Sequence, residues 1–249
     1  MQIKAAIFDM DGTLIDSLIL WDVFWSALGE RFLQDASFRP AAEDDRTVRT
    51  MTLDKAMELA HRHYNLGESG EQLLSIVNEI TEDFYRNKVL LKPGAKEYLE
   101  QLHQQGTKMV IASGTEMSFI ELALDRCGLR KYFSRVFSCC DIKKGKEQPD
   151  IYLMAQQALG EKAEDIWVFE DSLTAIETVQ RLGMHTVALY DRNNYGQEKM
   201  RAIADYYIGE GEEMTKLGET VCSMQRKNIS KRFLPKIPAG TTRFRLCAC

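Results

Sequence analysis

The chain has 249 residues, a formal net charge of −5 and a composition that is 45% hydrophobic and 28% charged. That length suits one large domain, or one domain with a smaller one inserted, and it supplies ample apolar material for a core. Because the net charge is negative, neither nucleic acid nor an anionic membrane surface is the expected partner.

The first predicted element is a buried strand at residues 4–8, and its apolar run is interrupted by Asp9 and Asp11. The run is therefore too short for a signal peptide, and no other stretch approaches the roughly 18 apolar residues of a membrane span. The six cysteines form no paired CxxC array, which disfavours a zinc site and favours reduced thiols. We expect a cytoplasmic protein.

The next stretch, residues 17–88, has helical spacing and no convincing strand. Apolar residues recur with a helical period in 18–33, 52–64 and 71–88. We therefore predict that residues 17–88 form a helical cap inserted straight after the first strand. An insertion at that point lies over the C-terminal end of the strand, where open α/β sheets bind ligands.

Beyond the insertion, short apolar runs alternate with amphipathic helices. This alternation predicts right-handed βαβ units and an α/β fold, with a Rossmann-like parallel sheet core flanked by helices and an inserted all-helical cap. The core is expected to comprise residues 1–16 and 89–211. The predicted strands are 108–112, 135–138, 166–169, 185–189 and 206–208, and the predicted helices are about 95–105, 117–127, 150–159, 173–181 and 197–204.

The last stretch, residues 212–249, differs in composition from the rest. Residues 226–249 contain seven basic and no acidic residues, with little periodicity. We predict a basic, disordered tail, and we expect that truncation after Glu212 leaves the catalytic rate unchanged. The alternative is that the tail makes nonspecific contacts with nucleic acid or acidic partners.

Two pairs of acidic residues follow predicted strands. Asp9 and Asp11 come after the first strand, and Glu170 and Asp171 come after the strand at 166–169. Carboxylates that are held close together repel one another and are costly to desolvate, so a divalent cation with oxygen ligands is the natural compensation. Helix capping is the alternative role for each pair.

Two further polar clusters contain groups that suit phosphate. Ser113 and Gly114 follow the strand at 108–112, and Lys146 precedes the helix at 150–159. Taken alone, the first is equally a turn into a helix and the second a solvated loop. Because the C-terminal ends of parallel strands meet at one edge of a sheet, we predict that all four clusters share one crevice. Carboxylates, a hydroxyl and a lysine are the parts of a metal-assisted phosphoryl-transfer site.

Four segments resemble, in order and spacing, the four motifs of the haloacid dehalogenase-like hydrolases. They are FDMDGTLIDS, VIASGT, GKEQPDIY and VFEDS, and the resemblance covers roughly residues 3–209. The chain is most similar in style to the β-phosphoglucomutase-like and phosphoglycolate-phosphatase-like members, which have a helical cap after the first motif. The resemblance implies the same fold and a site at the sheet edge.

The resemblance also implies a role for each matching residue. Asp9 would attack phosphorus and form an aspartyl-phosphate. Asp11 would protonate the leaving oxygen and then deprotonate the attacking water. Ser113, Gly114 and Lys146 would bind the phosphate, and Lys146 would also hold the nucleophile in place.

The implied cofactor is Mg²⁺. Its ligands would be the side chain of Asp9, the backbone carbonyl of Asp11 and the side chain of Asp171, with Glu170 acting directly or through water. These implications together predict a magnesium-dependent phosphatase that hydrolyses a small phosphorylated metabolite, with nucleic acid and membranes not expected as partners.

A sugar-phosphate mutase is the alternative function. Mutases of the β-phosphoglucomutase-like group carry a histidine five positions after the aspartate that corresponds to Asp16, where this chain has Trp21. That departure weakens the mutase hypothesis. A dehalogenase is disfavoured because a halide leaving group needs no proton, whereas Asp11 is placed to supply one.

Overall fold

The structure, a computed structural model, describes residues 3–49 and 51–217. Within them, six parallel strands form one sheet, as the sequence predicted. The ends of the predicted strands differ from the observed ends by at most one residue. The strands are β1 (Ala5–Phe8), β2 (Lys108–Ser113), β3 (Arg135–Ser138), β4 (Ile166–Glu170), β5 (His185–Leu189) and β6 (Tyr206–Ile208).

The order of the strands puts β1 in the middle of the sheet, as β3-β2-β1-β4-β5-β6. All four residues of β1 are buried, which fits a central strand covered on both faces. The chain proceeds outward from β1 to β2 and β3 and then returns to β4 on the other side. The order therefore reverses between β1 and β4, and the C-terminal ends of strands at such a point are where open α/β sheets bind ligands.

Helices follow the strands of the core. α6 and α8 end at Gly128 and Gly160, whose φ angles of 65° and 68° are the left-handed conformation that glycine adopts readily. The alternation of strands and helices confirms the predicted α/β fold class. The helices of the core are α5 (Ala95–Gln104), α6 (Met117–Cys127), α7 (Cys139–Ile142), α8 (Asp150–Leu159), α9 (Leu173–Arg181) and α10 (Gln197–Ile203).

Residues 17–88, here called the helical insertion, contain no strand among the residues that the structure describes. A π-helical turn at Phe84–Lys88 extends the last helix, with the Val89 N–H donating to the Phe84 carbonyl at 2.8 Å. Tyr85 is buried in this turn. The other helices of the insertion are α1 (Leu20–Leu33), α2 (Ala42–Val48), α3 (Leu53–Tyr64) and α4 (Gly70–Asp83).

Two linkers join the helical insertion to the core, and they run side by side. Ile15 and Leu91 form an isolated antiparallel bridge. The Asp16 N–H donates to the Leu90 carbonyl at 2.9 Å, and the Lys92 N–H donates to the Leu14 carbonyl at the same distance. The insertion is thus attached through one paired base.

The predicted tail begins with described residues and continues beyond them. Residues 214–216 form a 3₁₀ turn in which Met214 is buried, and its N–H donates to the Pro93 carbonyl at 3.4 Å. Residues 218–249, which include the basic part of the predicted tail, lie outside the described residues.

The structure bears on two of the remaining expectations. No helix within residues 3–49 and 51–217 is long and apolar enough to cross a bilayer. Among the described residues, Cys127, Cys139 and Cys140 are free thiols, and the reduced state of the cysteines stays a prediction. The cytoplasmic location stays a prediction.

Candidate active site

Three buried carboxylates meet where β1 and β4 end. Asp9 follows β1, Glu170 closes β4, and Asp171 comes next. Each contributes one oxygen to a group in which all oxygens lie within 4.8 Å of one another. Because β1 and β4 pair in parallel register, the two strand ends deliver these side chains to the same level. We call Asp9, Glu170 and Asp171 the carboxylate cluster.

The electrostatics of the carboxylate cluster fit a divalent cation. Burial raises the pKa of Asp9 well above its usual value, although the Lys146 ammonium opposes that shift. Burial and the charge of Glu170 raise the pKa of Asp171 to about 7. A positive charge among the three oxygens would favour the ionised forms, and oxygen donors are the ligands that Mg²⁺ prefers.

Lys146 is the cation that the protein itself supplies to this cluster. Its Nζ lies 2.5 Å from Asp9 Oδ1 and also contacts Glu170 Oε1. Burial lowers the pKa of Lys146, but the charges of Asp9 and Glu170 outweigh it and leave the pKa raised. Tyr152 on α8 donates to the same Glu170 oxygen at 3.0 Å. Lys146, whose side chain is 14% exposed, is therefore part of the site and not a solvated loop residue.

Asp11 is not part of the carboxylate cluster and accepts hydrogen bonds from three hydroxyl groups. Ser17 Oγ and Tyr85 Oη donate to Asp11 Oδ1, at 2.6 and 2.5 Å. Thr115 Oγ1 donates to Oδ2 at 2.7 Å. Tyr85 also stacks on Phe119 of α6, with ring centroids 5.7 Å apart. Asp11 thus connects both ends of the helical insertion with the loop after β2.

The turn after β1 is shaped to admit Asp171. Gly12 has a φ of 78°, and a Cβ there would lie 2.2 Å from Asp171 Oδ2, so only glycine fits. Thr13 Oγ1 donates to Asp171 Oδ1 at 3.1 Å. Helix capping does not explain the acidic pair Glu170 and Asp171 either, because the N-cap of α9 is Ser172, which makes no side-chain capping bond.

Ser113 and Gly114 lie at the same edge of the sheet, at the end of β2 beside β1. Ser113 is fully buried, and its Oγ accepts a hydrogen bond from the Thr115 N–H at 3.1 Å. It does not cap the following helix, whose N-cap is Glu116. The role of Ser113 and Gly114 in phosphate binding stays a prediction.

Several residues that contact the site were not predicted. Asn194 Nδ2 lies 2.7 Å from Asp171 Oδ2 and 2.9 Å from the Asp171 carbonyl. Asn194 could have been predicted from the sequence, because it follows β5, which ends at the same edge of the sheet as β1 and β4. Tyr85 could not, since it is 74 residues from Asp11 in the chain. The other contacts that were not predicted come from Thr13, Ser17, Thr115 and Tyr152.

Known proteins resemble this chain in sequence. Phosphorylated carbohydrates phosphatase of Thermotoga maritima is 26% identical over 185 residues, which cover 74% of this chain and 83% of the relative. Hexitol phosphatase B of Escherichia coli is 28% identical over 190 residues, which cover 76% of this chain and 84% of the relative.

The fold also has solved counterparts. A β-phosphoglucomutase-like protein of Thermotoga maritima superposes with a TM-score of 0.72 at 26% identity, covering 88% of this chain and 99% of that protein. The family model of the haloacid dehalogenase-like hydrolases matches residues 3–183, a span that includes the whole carboxylate cluster and Lys146. The chain belongs to the haloacid dehalogenase-like hydrolase family.

Proposed function

We propose that the chain is a magnesium-dependent phosphatase that hydrolyses a small phosphate monoester through an aspartyl-phosphate on Asp9. The observation that carries the proposal is the largely buried contact between Asp9 and Lys146 beside Glu170 and Asp171. Relatives named for phosphorylated carbohydrates and hexitols support a phosphorylated sugar or sugar alcohol as the substrate.

In the first step, a carboxylate oxygen of Asp9 attacks phosphorus, and the bond from phosphorus to the ester oxygen breaks. Lys146 holds Asp9 in place and offsets the negative charge that gathers on the phosphoryl oxygens. The Ser113 hydroxyl and the Gly114 amide donate to those oxygens. Asp11 gives a proton to the ester oxygen, so the alcohol leaves neutral.

In the second step, water attacks phosphorus and the bond to Asp9 breaks, which releases inorganic phosphate. Asp11 is now ionised, and it takes a proton from the water as the new bond forms. One carboxyl thus serves first as the acid and then as the base. Its position two residues after Asp9 puts it on the same turn as the nucleophile.

The proposed ligands of Mg²⁺ are the side chains of Asp9 and Asp171 and the carbonyl of Asp11, with Glu170 acting directly or through water. When bound, the ion neutralises charge on the carboxylates and on the phosphoryl group. The crowding of three buried carboxylates supports this assignment.

The helical insertion is proposed to act as the cap of this enzyme. Tyr85 and Ser17, at its two ends, both contact Asp11, so the insertion is attached beside the proton-transfer group. The insertion also contacts the loop after β5, where Arg49 Nη1 donates to the Asn193 carbonyl at 3.4 Å. A cap in this position excludes bulk water from the reacting phosphate.

A sugar-phosphate mutase is the second candidate, because the β-phosphoglucomutase-like structure is similar at 26% identity. Trp21 argues against it. Its ring packs against Phe24 and Trp25, with centroids 5.8 and 6.0 Å away, and the Arg49 guanidinium lies over it at 5.7 Å. An indole cannot exchange a proton at neutral pH as an imidazole does.

The test is phosphate release from a panel of sugar phosphates, hexitol phosphates, phosphoglycolate and nucleotides, with Mg²⁺ and with a chelator. We expect magnesium-dependent release that Asp9→Asn abolishes and Asp11→Asn reduces severely, both with the fold intact. Release by the Asp9→Asn protein at the wild-type rate would reject the mechanism. Isomerisation of a hexose phosphate without net release would select the mutase instead.

A further inference from the structure

The loop at residues 191–195, which follows β5, fixes one of the proposed metal ligands. Asn194 Nδ2 reaches both the carbonyl and the Oδ2 of Asp171, at 2.9 and 2.7 Å. Thr13 donates to the other carboxylate oxygen at 3.1 Å. The orientation of Asp171 therefore depends on a hydroxyl from the turn after β1 and an amide from this loop.

The same loop is anchored to one of the linkers. Asp191 is buried, and its Oδ2 lies 2.5 Å from the Nζ of Lys92, in the linker that returns from the helical insertion. The Oδ1 of Asp191 accepts a hydrogen bond from the Asn193 N–H at 2.7 Å. The start of the loop is thus held to the base of the insertion.

The far end of the loop contacts α2 of the helical insertion. Besides the Arg49 contact with the Asn193 carbonyl, Tyr195 Oη donates to Asp45 Oδ2 at 3.4 Å, and the Arg46 guanidinium lies 6.0 Å from the centre of the Tyr195 ring. Asp45 also accepts from Arg49 Nε at 2.8 Å. Residues of α2 and the residue after it therefore contact both neighbours of Asn194.

We propose that the loop at residues 191–195 couples the position of the helical insertion to the affinity of the carboxylate cluster for its divalent cation, with Asn194 as the positioning residue for Asp171. The inference rests on the proposed magnesium site. An insertion seated on the loop holds Asn194 against Asp171. Because such coupling is reciprocal, cation binding in turn favours the seated position.

The first experiment measures Mg²⁺ affinity calorimetrically with the full-length protein and no substrate. Asn194→Ser removes the amide donor, and we expect it to weaken the affinity about 10- to 100-fold, as loss of a group that orients a metal ligand does. Asn194→Ala replaces it if the serine variant fails to fold. An unchanged affinity in a folded variant would overturn the assignment of Asn194.

The second experiment tests the coupling itself. Arg49→Ala and Tyr195→Ala break the contacts with the insertion and touch no proposed metal ligand. We expect each to weaken Mg²⁺ binding about 2- to 30-fold, with effects that are not additive with Asn194→Ser. The matched control is Arg62→Ala, which removes an exposed ion pair within α3 and should leave the affinity unchanged.

The outcomes separate the two proposals. A wild-type protein that binds no divalent cation would remove the magnesium site of the proposed function and this inference with it. A wild-type protein that binds Mg²⁺, together with Arg49→Ala and Tyr195→Ala variants that match the Arg62→Ala control, would refute the coupling and leave the phosphatase proposal standing.

Discussion

Asp171 accepts a hydrogen bond on each of its carboxylate oxygens, from Thr13 and from Asn194, yet its pKa is raised to about 7 by burial and by Glu170. In the absence of a cation, the folded protein therefore keeps a proton on Asp171 up to about pH 7, whereas the unfolded chain releases it near pH 4. Within this window the folded state binds more protons, so its stability falls as the pH rises. The raised pKa of Asp9 contributes to this fall in stability in the same direction.

This difference predicts how Mg²⁺ affects thermal stability. The cation binds the ionised carboxylates, so we expect it to raise Tm much more at about pH 8 than at about pH 5. The measurement is thermal unfolding with Mg²⁺ and with a chelator at both pH values. Asp171→Asn is the control: it should raise the Tm of the metal-free protein at the higher pH and reduce the response to Mg²⁺. Equal Mg²⁺ shifts at both pH values would contradict the raised pKa.

The linker that returns from the helical insertion contributes the lysine of a largely buried ion pair. Lys92 is 16% exposed and its partner Asp191 is 1% exposed, with 2.5 Å between Nζ and Oδ2. Four residues earlier, Lys88 makes a pair with Asp83 at 2.6 Å in which both side chains are largely exposed. The two lysines lie in the same stretch of chain and differ mainly in burial, so they form a matched comparison.

We expect Lys92→Met to lower the free energy of unfolding by about 3–5 kcal/mol, because it leaves the Asp191 carboxylate buried without a countercharge. Lys88→Met should change the stability little, since solvent screens an exposed pair. Urea unfolding of both variants checks the prediction. The double variant Lys92→Met/Asp191→Asn should recover part of the loss, and similar effects of the two lysine variants would show that burial is not the cause.

The strands of the core could be predicted from the sequence because each buried parallel strand is a short apolar run between polar segments. α2 could not, since its sequence AEDDRTV has no apolar periodicity and only Val48 is buried. Acidic residues in its first turn, such as Glu43, stabilise it through the helix dipole.

The candidate site divides in the same way. Residues that follow a strand directly, such as Asp9 and Asp171, were predicted because strand order alone brings them together. Tyr85 was not, because its contact with Asp11 depends on how the helical insertion packs against the core. Packing between distant helices leaves no local pattern in the sequence, so contacts of this kind emerge only from the structure.

The whole chain has a net charge of −5, although residues 226–249 contain seven basic and no acidic residues. We expect truncation after Leu217 to leave both Tm and the rate of phosphate release unchanged. Truncation after Glu212 also removes the buried Met214 and its contact with Pro93, so we expect an unchanged rate but a Tm that is lower by roughly 4–8 °C. Thermal unfolding and phosphate release, measured on both truncated proteins, distinguish the two cuts. A large loss of rate in either folded protein would assign the removed residues a part in catalysis.

The three hydroxyl groups around Asp11 are hydrogen-bond donors that a bound substrate or product could displace. Tyr85, Ser17 and Thr115 donate to Asp11 as the hydroxyl of a product alcohol would. The hydroxyl of a bound alcohol can therefore take the place of one protein hydroxyl, and the number of hydrogen bonds to Asp11 stays the same. In the proposed mechanism, the resting site therefore already contains the kind of hydrogen bond that a product alcohol would make to Asp11.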